Sequence, residues 1–153
     1  PGTGDVQLTL AQAVPVTGAV IVTTPQDIAL LDARRGLKMF EKVGIPILGL
    51  VENMSIHVCS NCGHAEHIFG AGGGEAMCAD YDLPFLGSLP LDIKIRTQTD
   101  SGRPTVVSEP ESPIAGAYRD IAIRLGVAIA ERPRDRRIKI PTVVVQSKAG
   151  SKE

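Results

Sequence analysis

The sequence has no tryptophan, and aromatic residues fill only 3% of its 153 positions. Stacking platforms of the kind that hold single-stranded nucleic acid are therefore not available. No apolar run approaches the ~18–20 residues that a membrane-spanning helix needs. Neither sign of charge dominates: sixteen Lys plus Arg face seventeen Asp plus Glu, for a formal net charge of −1. That balance disfavours nucleic-acid binding through overall positive charge. Cysteine is scarce, and three of them, an odd number, cannot close a disulfide framework. An apolar share of 43% and a charged share of 22% fit one globular domain. The chain opens on Pro1-Gly2-Thr3-Gly4-Asp5, with no starting Met and no signal peptide. This reads as a turn entered midway, and the expectation is that an N-terminal part is missing.

Apolar runs alternate with helical patterns. Ala19–Thr23 and Ile45–Val51 are short and without polar alternation, as expected of strands buried on both faces. Phe85–Leu89 is a weaker third. A helix is expected from about Pro25 to Val43, with Thr24 as its cap, Pro25 in its first turn and Asp27 near its positive end. Ile28, Leu31, Leu37 and Phe40 are candidates for its buried face, and Gly44 would end it. Strand, helix and strand at this spacing form a βαβ crossover, hence a parallel sheet. Further helices are expected at about Val6–Val14, Gly74–Tyr81 and Ile114–Ala130. The expected fold is α/β with a three-layer, mostly parallel sheet, spanning residues 1–131 with an insertion at about 55–73. Residues 132–153 read as a basic tail in which Val143–Val145 could form one docked strand.

In such sheets ligands bind beyond the carboxyl ends of the strands. Thr23–Gln26, Glu52-Asn53-Met54 and Leu89-Pro90-Leu91-Asp92 would lie there. The Asn53 carboxamide both donates and accepts, which suits a nucleobase edge, but Asn also forms turns. Pro90 and Asp92 equally well start the helix that follows. Gly2 could bring a backbone N–H against a phosphate, or the segment could be a turn with Asp5 capping a helix. Gly70-Ala71-Gly72-Gly73-Gly74 lacks the Lys-Ser or Lys-Thr of a phosphate loop and reads better as a flexible hinge.

Cys59-Ser60-Asn61-Cys62-Gly63 is the sharpest signal. Two thiolates two residues apart on a tight turn can hold one metal atom, with Gly63 relieving the backbone. Tetrahedral zinc and a four-iron cluster each need four ligands. His57, His64 or His67 could complete a zinc site within one chain, or a symmetric dimer could place two such turns around a shared cluster. Local hydrogen bonding is the alternative role for His64 and His67. Cys78 reads as a small buried residue.

Several segments then occur in one order: Pro1–Asp5, Val22–Asp27, Gly49–Ser55, Cys59-x-x-Cys62-Gly63-His64, Ile68-Phe69-Gly70 and Leu89–Asp92. Together they resemble the C-terminal half of the Mrp/ApbC family, iron–sulfur cluster carrier ATPases of the MinD-like P-loop class. The resemblance runs from residue 1 to about residue 130. It implies a cytoplasmic, ATP-hydrolysing homodimer that carries a [4Fe–4S] cluster bridged between subunits and passes it to apo iron–sulfur proteins. Neither nucleic acid nor membrane is implied as a partner. Cys59 and Cys62 would ligate the cluster. Gly2 matches a glycine near the γ-phosphate, Asn53 the residue that contacts the base, and Pro90 and Asp92 the loop beside the nucleotide. The family's Walker A loop and its Mg²⁺-binding groups would lie upstream of Pro1, so no catalytic residue is assigned and the chain as it stands would not hydrolyse ATP. A zinc-stapled, non-enzymatic interaction module is the alternative. A MinD-like positioning ATPase at a membrane surface is disfavoured by the C-x-x-C turn and by the lack of an amphipathic helix.

Overall fold

A computed structural model describes residues 5–132. The chain runs α1 (Asp5–Ala13), β1 (Ala19–Thr23), α2 (Asp27–Lys42), β2 (Ile47–Glu52), β3 (His57–Val58), β4 (Ala65–Glu66), α3 (Gly73–Tyr81), β5 (Phe85–Ser88), α4 (Ile93–Asp100), α5 (Thr105–Ser108) and α6 (Pro113–Ala130). Gly2, and the expected strand in the tail, lie outside the described residues.

Strands β1, β2 and β5 pair in parallel in that order. Parallel neighbours require crossovers. Helix α2 supplies the first, and the second carries the β3–β4 hairpin followed by α3. Successive strand residues point to opposite faces, so β2 feeds two cores. Leu50 packs with Ile21, Leu30, Leu37, Met77 and Cys78 under α2 and α3. Val51 packs with Leu86 and Leu89 against Tyr118, Ile121 and Leu125 of α6. Helices on both faces of a parallel sheet give the expected three layers. On its other side β1 has no neighbouring strand among the described residues, and Val22 there is 61% exposed.

Helix α2 departs from expectation in its start and its rotation. Its cap position is Gln26, without a side-chain cap, and Thr24 Oγ1 instead donates to Gln26 Oε1 at 2.7 Å. Pro25 therefore precedes the helix. Leu30 and Leu37 are buried, with Ala33 and Phe40 packed beside them, whereas Ile28 is 75% and Leu31 44% exposed. The sequence offers two overlapping apolar stripes, and the sheet selects the one that runs 30, 33, 37, 40. The other end is as expected. Gly44 has φ +72°, its N–H donates to Glu41 O at 3.1 Å, and Ile45 N–H donates to Phe40 O at 2.9 Å. This is a Schellman ending, which only glycine enters without strain.

Candidate metal and nucleotide site

The three segments expected at the carboxyl edge do lie side by side. Thr23 pairs with Glu52, and Glu52 with Ser88. The pairing continues past the strands: Asn53 N–H donates to Thr23 O at 2.7 Å and Leu89 N–H to Glu52 O at 2.9 Å. Asn53 reaches a cavity of about 480 Å³ that runs along β1 and the flank of α2, where Thr23, Thr24, Asp32 and Phe40 also contribute. Its Oδ1 accepts the Met54 N–H at 3.0 Å, and Met54 sits at φ +58°. The carboxamide thus stabilises a left-handed turn through its oxygen, and its amide group makes no hydrogen bond among the described residues.

Pro90 and Asp92 do not line that cavity. Asp92 is the N-cap of α4, and its Oδ1 accepts the Lys94 N–H at 2.7 Å. This satisfies one of the orphan donors of the first turn. Half-buried Pro90 lies between Leu89, which bonds Ser55, and Leu91, whose N–H donates to Ile56 O at 2.8 Å.

The glycine-rich segment is a packed helix start, not the expected hinge. Gly72 occupies the cap position of α3 and has no side chain to offer. The carboxylate of Glu52, itself only 4% exposed, accepts the Gly74 N–H at 2.6 Å instead. A Cβ on Gly73 would stand 2.6 Å from Leu30 Cδ1 and 2.8 Å from Pro25 O. Gly73 and Gly74 are small because α3 lies this close to α2 and β2, whereas Gly70 and Gly72 have φ of +96° and +71° and serve the backbone of the turn. Glu52 stands where an anion would bind at a helix N-terminus, so a phosphate is not expected there. Sequence reasoning missed this role; a Glu ending an otherwise apolar strand was the available signal.

The C-x-x-C turn is the tip of the β3–β4 hairpin. His57 pairs with Glu66 and Val58 with Ala65. Cys59 N–H donates to His64 O, and Gly63 N–H to Cys59 O, both at 2.9 Å. Gly63 has φ +72°, the left-handed conformation expected of it. Cys59 is half-buried and Cys62 exposed. Backbone N–H groups of Asn61 and Cys62 aimed at Cys59 hold its thiol below the ordinary range, with the Cys62 side chain and nearby His57 adding to the effect. Burial pushes the Cys78 thiol up, and Glu75 adds to the shift. A depressed thiol beside a second one at an exposed tip suits metal capture, whereas Cys78 is a packing residue, as expected.

The histidines do not join the cysteines in a ligand cluster. Among the described residues no three His, Cys, Asp or Glu side chains converge as a metal site. His57 Nδ1 lies 3.0 Å from Leu91 O, and His67 Nδ1 lies 2.6 Å from Ser55 O. A carbonyl only accepts, so both Nδ1 atoms carry the proton and donate. His64 lies on the exposed surface, and its carbonyl closes the turn. One chain therefore presents two sulfur donors and leaves half of a four-ligand shell to another source. No described helix is long and apolar enough to cross a membrane.

Comparison with known proteins adds a family to this geometry. A family described as ParA, NUBPL iron-transfer P-loop NTPase, matches residues 1–126. An iron–sulfur cluster carrier protein of Pseudomonas fragi is 63% identical over 126 residues, 82% of this chain and 44% of that protein. The carrier of Escherichia coli K12 is 59% identical over 129 residues, covering 84% of this chain and 35% of its own length. The iron–sulfur cluster transfer protein NUBPL of Mus musculus is 54% identical over 122 residues, covering 80% and 38%. The chain thus spans 35–44% of the length of these relatives. Among solved structures, a nucleotide-binding protein from Archaeoglobus fulgidus in complex with ADP superposes with a TM-score of 0.60. It is 36% identical, over 73% of this chain and 45% of that one. The cell-division ATPase MinD of Pyrococcus furiosus gives a TM-score of 0.57 at 29% identity, over 72% and 43%.

Proposed function

Because the chain belongs to the NUBPL iron-transfer P-loop NTPase family, we propose that it is the cargo-bearing part of an ATP-dependent iron–sulfur cluster carrier. In this reading residues 1–131 form the C-terminal part of a P-loop ATPase domain, and the insertion at about 55–73 holds the cargo. The observation that carries it is the hairpin tip. Cys59 and Cys62 stand together, the Cys59 thiol is held below its ordinary range by the backbone N–H groups of the turn, and no third ligand joins them within the described residues. Two such tips, one from each of two copies, supply the four thiolates of a shared [4Fe–4S] cluster. The cluster is cargo, delivered to apo iron–sulfur proteins in the cytoplasm.

The nucleotide end lies at the carboxyl edge of the sheet. Asn53 offers its amide group to the base, Pro90 and Asp92 belong to the loop beside the nucleotide, and Gly2 lies near the γ-phosphate. A G-x-x-x-x-G-K-[ST] phosphate loop does not occur within these 153 residues. The 36%-identical Archaeoglobus protein, described in complex with ADP, supports a nucleotide at this fold. ATP bound by two copies can bias their relative placement only if it distinguishes two arrangements energetically.

The test is transfer. The protein, loaded anaerobically with iron and sulfide, is mixed with an apo four-iron protein whose activity returns on cluster insertion. Recovery with the unmodified carrier and loss with Cys59→Ala support the reading. Equal recovery with both contradicts it.

A further inference from the structure

The segment that leaves β2 is laced to the segment that leaves β5. Leu89 N–H donates to Glu52 O, Ser55 N–H returns to Leu89 O at 3.0 Å, and Leu91 N–H donates to Ile56 O at 2.8 Å. Ser55 Oγ also donates to Leu89 O, at 3.2 Å. The next link in this lattice comes from a side chain. His57 Nδ1–H donates to Leu91 O at 3.0 Å. His57 opens β3, two residues before Cys59, whose N–H carries the hairpin pairing on to His64 O. The following residue, Asp92, caps α4, and Lys94 of that helix pairs with Glu109 at 3.0 Å. The far leg of the hairpin is held as well, by His67 Nδ1–H on Ser55 O at 2.6 Å. Both legs of a short exposed hairpin are therefore fixed by imidazoles to the strand-end segments, and His57 holds the leg that bears Cys59.

We propose that His57 is a positioning residue that registers the C-x-x-C hairpin on the Leu89–Asp92 loop, so that nucleotide occupying that loop changes the presentation of Cys59. This rests on the carrier reading above. A two-residue strand paired with a two-residue strand is too short to hold its own orientation in water. The imidazole supplies the missing constraint. It adds a side-chain bond from the hairpin leg itself to the Leu89–Asp92 loop, and a displacement of Leu91 moves His57 with it. The bond requires an Nδ1–H donor, and the Asn side chain places an N–H donor at nearly the same distance from the backbone.

The experiment uses the full-length carrier, metal-free and at one fixed pH, with and without ATP–Mg²⁺, and compares the unmodified protein with His57→Ala and His57→Asn. Peptide-resolved iodoacetamide labelling reads the alkylation rate of Cys59, and a fluorescent ATP analogue reads nucleotide affinity. ATP should change the Cys59 rate by about fivefold or more in the unmodified protein. His57→Ala should abolish that response while nucleotide affinity stays within about twofold. His57→Asn should restore the response, which a merely structural role for the ring would not require. A full ATP response in His57→Ala overturns the proposal. If the unmodified protein binds nucleotide and carries a cluster, but Cys59 does not respond to ATP, the coupling fails and the carrier reading stands. If it takes up neither nucleotide nor cluster, both fail.

Discussion

Glu52 Oε2 accepts the Gly74 N–H at 2.6 Å, so a buried carboxylate at the end of β2 caps the start of α3. The helix begins with glycines and brings no capping side chain of its own. One of its orphan N–H groups, that of Gly74, and its positive end are satisfied from the sheet instead. This bond joins the helix that follows the C-x-x-C hairpin to the strand that ends at Glu52, one residue before Asn53. Removing the carboxylate orphans the Gly74 N–H and opens a space beside Leu50. Glu52→Ala should lower unfolding free energy by about 2–3 kcal/mol. Glu52→Gln, which keeps the shape and an acceptor, should lose about half of that or less. Urea titration reads both, and an unchanged midpoint for Glu52→Ala would remove the capping role.

Two glycine substitutions should differ in sign. A Cβ on Gly73 meets Leu30 Cδ1 at 2.6 Å and the Pro25 carbonyl at 2.8 Å, and the second is backbone that cannot swing aside. Gly73→Ala should destabilise by about 1–3 kcal/mol. A Cβ on Gly116 of α6 meets nothing within 4 Å. Gly116→Ala should therefore stabilise by up to about 1 kcal/mol through helix propensity. Thermal melts of the two variants check both directions. Equal tolerance of both would mean that α3 does not pack tightly against α2.

Thiol labelling against pH should separate the cysteines. Cys59, held low by the Asn61 and Cys62 N–H groups, should alkylate with an inflection below the ordinary thiol range. Cys78, raised by burial, should stay unreactive until the protein unfolds. Because the Cys59 pKa is depressed on folding, its thiolate favours the folded turn above the unfolded thiol's pKa. That contribution is lost as pH falls through the depressed folded value. Early labelling of Cys78 would place it at the surface.

Asp92 carries a demonstrable capping role beside its proposed nucleotide role. Asp92→Ala should cost about 1 kcal/mol through loss of the α4 cap, and Asp92→Asn should keep the cap within about 0.5 kcal/mol. If Asp92→Asn also keeps nucleotide affinity, the carboxylate charge has no part in binding. If affinity falls while stability holds, the charge faces the nucleotide.

The sheet and the C-x-x-C turn geometry were legible in the sequence because each rests on local chemistry. The β-branched run at 19–23 and the Gly44 helix ending were read close to their observed limits, and Gly63 took the backbone conformation that its turn demanded. The rotation of α2 was not legible. Ile28 and Leu31 satisfy helical periodicity as well as Leu30 does, and only the position of the sheet decides between them. The Gly70–Gly74 segment misled for a related reason. Glycine permits motion and also permits close approach, and the neighbours that distinguish these, Glu52, Leu30 and Pro25, come from other parts of the chain. Of the candidate site residues, Cys59 and Cys62 were proposed from their spacing, and the two share the hairpin tip. Asn53 lies at a cavity, while Pro90 and Asp92 stand apart from it. The bonds from His57 to Leu91 and from His67 to Ser55 span 34 and 12 positions. No local pattern reports them.

The central claim is that two C-x-x-C tips share one four-iron cluster. Iron, acid-labile sulfide and zinc per chain, measured after anaerobic reconstitution, test it most directly. About two irons and two sulfides per chain are expected, lost in Cys59→Ala and kept in Cys78→Ala. About one zinc per chain with no sulfide would contradict it, leaving a closed structural metal site in place of a carrier.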